Sequence, residues 1–241
     1  MVKQYDRTRQ YHQFQRQITQ PEQEPDQPFW KSAPVMVLGA LSILSLAIFL
    51  LWEYLTPRIV HIRADDTSKS ALEFAPERQQ HCKIATEHYK SGDQVISLSF
   101  ADQPGTSERI SIFNTLAVLG QCQEDSPQTQ NQEPGTSLEF LLKQIQAESK
   151  RQRQKNNLPV VITILVQTNE PGTFHQDNLE TIKQLTHEIL SDKSLIALMV
   201  EDPSLQNQLS DLFASEAQLE VCSFRDIKSC LDWAFKTGRH L

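Results

Sequence analysis

Glycine is scarce in this chain, with 7 in 241 residues. No G-x-G-x-x-G and no G-x-x-x-x-G-K-[ST] occurs, so the chain lacks the flexible backbone cradle that holds a phosphate at a helix start. Cysteine is also scarce. Cys82, Cys122, Cys222 and Cys230 contain no C-x-x-C pair, and no histidine stands at finger spacing from them, which excludes the common zinc modules. They read as buried thiols or, if the domain lies outside the cytoplasm, as disulfides whose pairing the sequence does not fix. A G-x-S-x-G elbow and an S-x-x-K are both missing, which removes two familiar frames for a serine nucleophile. Basic excess is missing as well. Lys plus Arg number 23 against 30 Asp plus Glu, for a net charge of -7. Residues 1–33 hold five basic and four acidic side chains, so they sum to +1 and leave -8 for the rest. An acidic domain offers no electrostatic reason to bind nucleic acid, and that partner class is disfavoured.

One feature is abundant locally. Val35 to Trp52 reads VMVLGALSILSLAIFLLW, eighteen residues without a charge, and reaches 21 through Leu55 with Glu53 as its single charge. At about 1.5 Å per helical residue the longer run spans roughly 30 Å, the thickness of a bilayer core. Ser42 and Ser45 are tolerable there because a hydroxyl can bond back onto the helix. Trp30, Trp52 and Tyr54 bracket the run as interfacial aromatics do. A cleaved signal would have a shorter core and would not follow 33 polar residues. A buried core helix is rarely apolar on every face. The reading is therefore a tail over 1–33 with eight Gln and no apolar period, a transmembrane helix over 34–55, and a soluble domain over 56–241. The tail's five basic residues favour keeping it inside, with the domain extracytoplasmic, although Arg58, Arg63 and Lys69 beyond the helix pull the other way.

Beyond Pro57, strand-like and helix-like runs alternate. Strands are expected at Arg58–Ala64, Gln94–Phe100, Pro159–Val166, Leu195–Val200 and Leu219–Cys222, with a short edge strand within Arg109–Val118. Helices are expected at Ala71–Ser91, Ser137–Arg153, Asn178–Leu190, Ser204–Ala214 and Asp226–Ala234. PVVITILV at 159–166 is apolar nearly throughout, as a central strand buried on both faces must be. This alternation specifies an α/β fold: a doubly wound, mostly parallel sheet flanked by helices, whose ligands bind at the carboxyl ends of strands.

At the end of the first strand stands Asp65-Asp66-Thr67-Ser68-Lys69-Ser70, containing D-x-S-x-S at Asp66, Ser68 and Ser70. Residues two apart in a tight loop aim small oxygen donors at one point, the donor type that hard cations take. Three further segments follow in order: GDQVISLSFAD from Gly92, EPGTSLEFLLKQI from Glu133, and LPVVITILVQTNEPG from Leu158. Together with the closing QLEVCSFRDIKSCLDWAFK, they resemble von Willebrand factor type A (VWA) domains over roughly residues 58–238. The resemblance implies a metal-ion-dependent adhesion site at Asp66, Ser68, Ser70 and Thr136. It would bind Mg²⁺ or Ca²⁺ and engage a protein partner through an acidic side chain. This chain departs from the family where Asp follows the fourth strand, because Thr168 occupies that position. Glu170, two residues on, is the nearest substitute. Losing that formal charge weakens the expected hold on the cation or removes it.

Two plainer readings stand beside this one. Asp and Ser favour capped turns on their own account, so Asp66–Ser70 can be a turn and nothing more. PGTS occurs twice, at Pro104–Ser107 and Pro134–Ser137, and as a tetrapeptide means only a turn; the second is singled out because a helix follows it. The seven histidines are scattered and read as surface or core residues. The leading expectation is a membrane-tethered, non-catalytic interaction module that contacts lipid through its anchor. The first rival is a metal-free structural subunit of a membrane complex with the same fold. The second is a doubly wound hydrolase using Asp65 or Asp66, for which no residue stands out as the base.

Overall fold

The structure, a computed structural model, describes residues 33–55, 57–68, 74–100, 104–111, 122, 137–166, 176–191 and 193–241. The chain divides into two units, Met1–Thr56 and Pro57–Leu241. In the first, α1 (Ala33–Leu55) is one helix of 23 residues. Its described large apolar side chains, within Met36–Phe49 and at Leu51, are 55–71% exposed. The Ser42 and Ser45 hydroxyls donate to the carbonyls of Leu38 (2.9 Å) and Leu41 (2.8 Å), as a serine in an apolar helix must. Among the fully described residues no helix is long and apolar enough to cross a membrane. On α1 those residues are only Met36–Phe49 and Leu51.

The second unit is built on β1 (Val60–Asp66), β2 (Gln94–Phe100), β3 (Pro104–Ser111), β4 (Val160–Val166), β5 (Ser194–Val200) and β6 (Leu219–Ser223). Among the described residues these form one sheet in the order β3-β2-β1-β4-β5-β6. Five strands are parallel, and β3 pairs antiparallel with β2 at the edge. The central strand expected at 159–166 is β4, buried at all seven positions. The edge strand begins earlier than expected, at Pro104, so the first PGTS is strand and not turn. Proline is tolerated there because it opens an edge strand, where no ladder bond is lost.

Side-chain alternation along the strands sorts the helices onto two faces. Val60, Ile62 and Ala64 pack with Ile162, Ile164, Leu198 and the apolar stripes of α3 (Leu138–Asn156), α4 (Gln176–Leu190) and α5 (Pro203–Leu212). Val161, Leu165, Ala197 and Met199 face the other way, against α2 (Ala75–Glu87) and α6 (Ile227–Gly238). On α6 the buried positions Ile227, Cys230, Leu231, Ala234, Phe235 and Gly238 repeat every three or four residues, the period of one helical face. Gly238 permits a close crossing, since a Cβ there would stand 2.2 Å from Val161 Cγ2. Helix α3 starts at Ser137, whose hydroxyl accepts the Phe140 amide, and stops at Asn157 in the left-handed region with φ 50°.

The cysteines are paired. Cys82 of α2 bonds Cys122, and Cys222 of β6 bonds Cys230 of α6. All four are buried, and the reading of four separate thiols is replaced by two cross-links.

Candidate functional site at the carboxyl rim of the sheet

Asp66 is the last residue of β1 and lies in register with Phe100 at the end of β2. The Thr67 amide donates to the Phe100 carbonyl at 2.9 Å, which holds the chain on the rim for one residue more. The Ser68 amide then turns back and donates to Asp66 Oδ1 at 2.9 Å. This is an Asx turn, the capped-turn geometry that Asp and Ser favour. Asp66 and Ser68 are both fully buried. The Arg78 guanidinium of α2 donates to the Asp66 carbonyl at 3.3 Å. Ser70, Thr136, Thr168 and Glu170 lie outside the described residues.

Their described neighbours share this rim. Val166 ends β4 one residue after Leu165, which is in register with Asp65. Ser137 caps α3, and three residues, Asn157–Pro159, join the other end of α3 to the start of β4. A helix so short-linked to a parallel strand must run back along the sheet. At about 1.5 Å per residue against about 3.3 Å for the strand, it covers the sheet's full height. Its first turn therefore reaches the edge where β1 ends.

The described donors, one carboxylate and one hydroxyl, are hard oxygens of the kind a divalent cation takes. One carboxylate oxygen is already engaged by the Ser68 amide, and a guanidinium stands on the adjacent carbonyl. Among the described residues no group of three or more His, Cys, Asp or Glu gathers as a metal cluster would.

Beneath the rim runs a polar chain that the sequence reading did not isolate. His61, Arg63 and Asp65 are the odd positions of β1 and point to the α2–α6 face. Asp65 Oδ1 lies 2.8 Å from His81 Nδ1, and His81 Nε2 lies 2.9 Å from Thr163 Oγ1. The same hydroxyl lies 2.8 Å from His61 Nε2, and His61 Nδ1 lies 2.7 Å from the Tyr89 hydroxyl. Arg63 Nε forms an ion pair with Asp65 Oδ2 at 2.9 Å, and Arg63 Nη1 donates to Cys82 Sγ. Asp65 therefore faces into the fold, while Asp66 belongs to the rim turn.

Burial alone would raise the Asp65 pKa, but the Arg63 guanidinium and His81 outweigh it and hold the carboxyl below its usual value. Burial, helped by His81 and Arg63, lowers the His61 pKa well below the ordinary imidazole value. Burial pushes the Tyr89 phenol upward. Acid, imidazole and hydroxyl stand in the order of a hydrolytic triad, and His81 is the base that the hydrolase reading lacked. Thr163 is nonetheless fully buried in the middle of β4, where no substrate reaches it. A cleft of about 350 Å³ opens elsewhere, between the end of α2 and α6, lined by His88, Tyr89, Lys90, Asp232, Phe235 and Arg239 among others. Neither Asp66 nor Ser68 lines it.

No protein-family model matches this sequence, and no curated protein matches it. Solved structures do resemble it. One is a von Willebrand factor type A protein from Catenulispora acidiphila, with TM-score 0.52 and 11% identity over 76% of this chain and 42% of that one. Another is proximal thread matrix protein 1 from the mussel byssus, with TM-score 0.51 and 14% identity over 76% of this chain and 46% of that one. A third is the PilB minor pilin from Streptococcus sanguinis, with TM-score 0.51 and 9% identity over 77% of this chain and 62% of that one. The match spans less than two thirds of each of these proteins. The folded unit is thus a VWA-like α/β domain, and at such identities the likeness concerns the fold.

Proposed function

We propose that the chain is a membrane-anchored VWA-like module that docks a protein partner on the carboxyl rim around Asp66 and Ser68. The observation that carries this reading is helix α1, whose described apolar side chains within Met36–Phe49 and at Leu51 are exposed. A soluble chain rarely exposes so large an apolar surface, and a bilayer removes it from water. The helix crosses once and the domain lies outside the cytoplasm. Two paired disulfides support that side, because such bonds persist in oxidising compartments. On the rim, Asp66, Ser68, Ser70 and Thr136 would hold Mg²⁺ or Ca²⁺, with Thr168 and Glu170 as the additional positions and a partner carboxylate completing the shell. The bound cation would supply positive charge for that carboxylate; the chain's own residues orient it.

A second reading keeps the anchor and fold but drops the cation. It is favoured by the Asx turn that engages Asp66 Oδ1, by Arg78 at the Asp66 carbonyl, and by Thr168 where an acid is expected. The chain is then a structural subunit of a membrane complex. The doubly wound hydrolase, which would use Asp65 or Asp66, finds beside Asp65 only a fully buried histidine, His81.

Vesicle flotation tests the anchor. The full chain should float with liposomes and resist carbonate extraction, and protease added outside sealed cells or right-side-out vesicles should remove the domain. A chain released by carbonate, or a domain protected from external protease, would overturn this reading.

A further inference from the structure

The strongest feature without an assigned role is the buried chain Tyr89–His61–Thr163–His81–Asp65, because its hydrogen atoms can be counted. A carboxylate only accepts, so with Asp65 ionised His81 Nδ1 donates to it. If that is the only proton His81 carries, its other nitrogen accepts, and the Thr163 hydroxyl supplies the proton. A hydroxyl has one proton to give. Having spent it on His81, Thr163 must accept from His61 Nε2, which leaves His61 Nδ1 to accept from the Tyr89 hydroxyl. Every polar atom of the chain is then satisfied, as burial demands.

The opposite direction leaves the last proton without a partner inside the chain. If Thr163 donated to His61, His61 Nδ1 would donate to Tyr89, whose own proton would need another acceptor. His61 is the hydrogen-bonding partner of the Tyr89 hydroxyl among the described residues. The groups facing the chain are Arg63 and Asp65 on β1, His88 on the α2 side and Asp93 before β2. None offers the phenol a described acceptor.

We propose that Thr163 is a positioning residue whose hydroxyl fixes a one-way hydrogen-bond relay from Tyr89 to Asp65, and that the relay holds Asp65 inward so that Asp66 alone of the two acids belongs to the rim turn. The consequence for the rim rests on the docking role proposed above; the direction of the relay does not. Thr163 lies on β4 and Asp65 on β1, and His81 reaches both from α2. The relay thus fastens two strands and a helix directly beneath the Asp66–Ser68 turn. Arg63 closes the other side of Asp65. Of two adjacent acids at a strand end, one is committed to the interior and one to the loop.

Imidazole ¹H–¹⁵N correlation spectra of the full chain in nanodiscs at pH 7.5 read the tautomers directly. His61 is expected to carry its proton on Nε2 and His81 on Nδ1. A proton on His61 Nδ1, or on His81 Nε2, overturns the relay. Thr163→Val should release the tautomer of His61 while Asp65 still holds the proton of His81 on Nδ1, and Thr163→Ser, which restores the hydroxyl, should fix His61 again. Unchanged spectra in a folded Thr163→Val would also overturn it, and if that variant does not fold, the wild-type tautomers still decide. For the rim, Mn²⁺ affinity should drop about tenfold in Thr163→Val and recover in Thr163→Ser, by calorimetry. Equal affinity in all three, with the tautomers as stated, overturns the positioning role. Absence of Mn²⁺ binding by the wild type speaks against the cation reading of the site and leaves the tautomer test of the relay intact.

Discussion

Arg239 holds Asp93 with both guanidinium nitrogens, Nη2 to Oδ2 at 2.5 Å and Nη1 to Oδ1 at 3.2 Å. Arg239 also donates to the carbonyls of Pro57 (2.8 Å) and His88 (2.9 Å). Asp93 in turn accepts the amides of Ile59 and Lys90. The first residues of the folded unit, the entry to β2 and the end of α6 are thereby closed on one buried ion pair. Removing one member of such a pair strands the other. Arg239→Ala or Asp93→Asn should each lower the unfolding free energy by roughly 3–5 kcal/mol in urea titrations. Replacing both by apolar residues should cost less than either single change, and an effect near zero for the singles would remove the clasp from the account.

Acid should weaken the fold through two groups of the relay. His61 is kept neutral chiefly by burial, so the unfolded chain binds its proton more readily. Its contribution is full above the unfolded value of about 6.5 and is lost as pH falls below it. Asp65 has the same sign lower down: its stabilisation is present above an unfolded value near about 3.9 and is lost on further acidification. Unfolding free energy measured from pH 8 to pH 5 should be flat and then decline, with a shallower decline in His61→Gln. A rise in stability on acidification would contradict the burial of a neutral His61.

The two disulfides should differ in weight. Cys82 and Cys122 are 40 residues apart, whereas Cys222 and Cys230 are separated by 8. Constraint of the unfolded chain grows with loop length, giving about 4 kcal/mol for the first pair and about 2.5 kcal/mol for the second. Paired serine substitutions compared by thermal unfolding should show that order. Thiol labelling of the unreduced, unfolded chain from an oxidising compartment should find no free cysteine, and four reactive thiols would contradict the pairing.

A substitution at the crossing of α6 and β4 has a predictable rescue. Gly238→Ala drives a Cβ into Val161 Cγ2, and overpacking of this kind costs about 1–3 kcal/mol. Val161→Ala in the same chain should recover part of that loss. Additive losses in the double variant would show that the two residues do not meet.

Much of the fold was legible because local pattern and tertiary role agree. β2 begins and ends where the run QVISLSF does, and β4 was marked as central by being apolar on both faces. The edge strand was misjudged because Pro104-Gly105-Thr106-Ser107 has turn chemistry, and pairing with β2 overrides it. At the site, Asp66 and Ser68 were legible as a strand-end turn. The relay was not, because His81 and Thr163 are 82 residues apart and only the fold brings them together. One signal was available: His61, Arg63 and Asp65 give β1 a polar face, and a strand in the middle of a buried sheet must satisfy such a face internally. The cysteine pairing had no signal in the spacing.

Calorimetric titration of the full chain in nanodiscs with Mn²⁺, beside an Asp66→Ala chain of unchanged thermal unfolding, addresses the rim most directly. Saturable heat that EDTA abolishes, present in the wild type and lost in the variant, is the predicted result. No heat from the wild type, or the same heat from both, would contradict a cation-bridged docking rim.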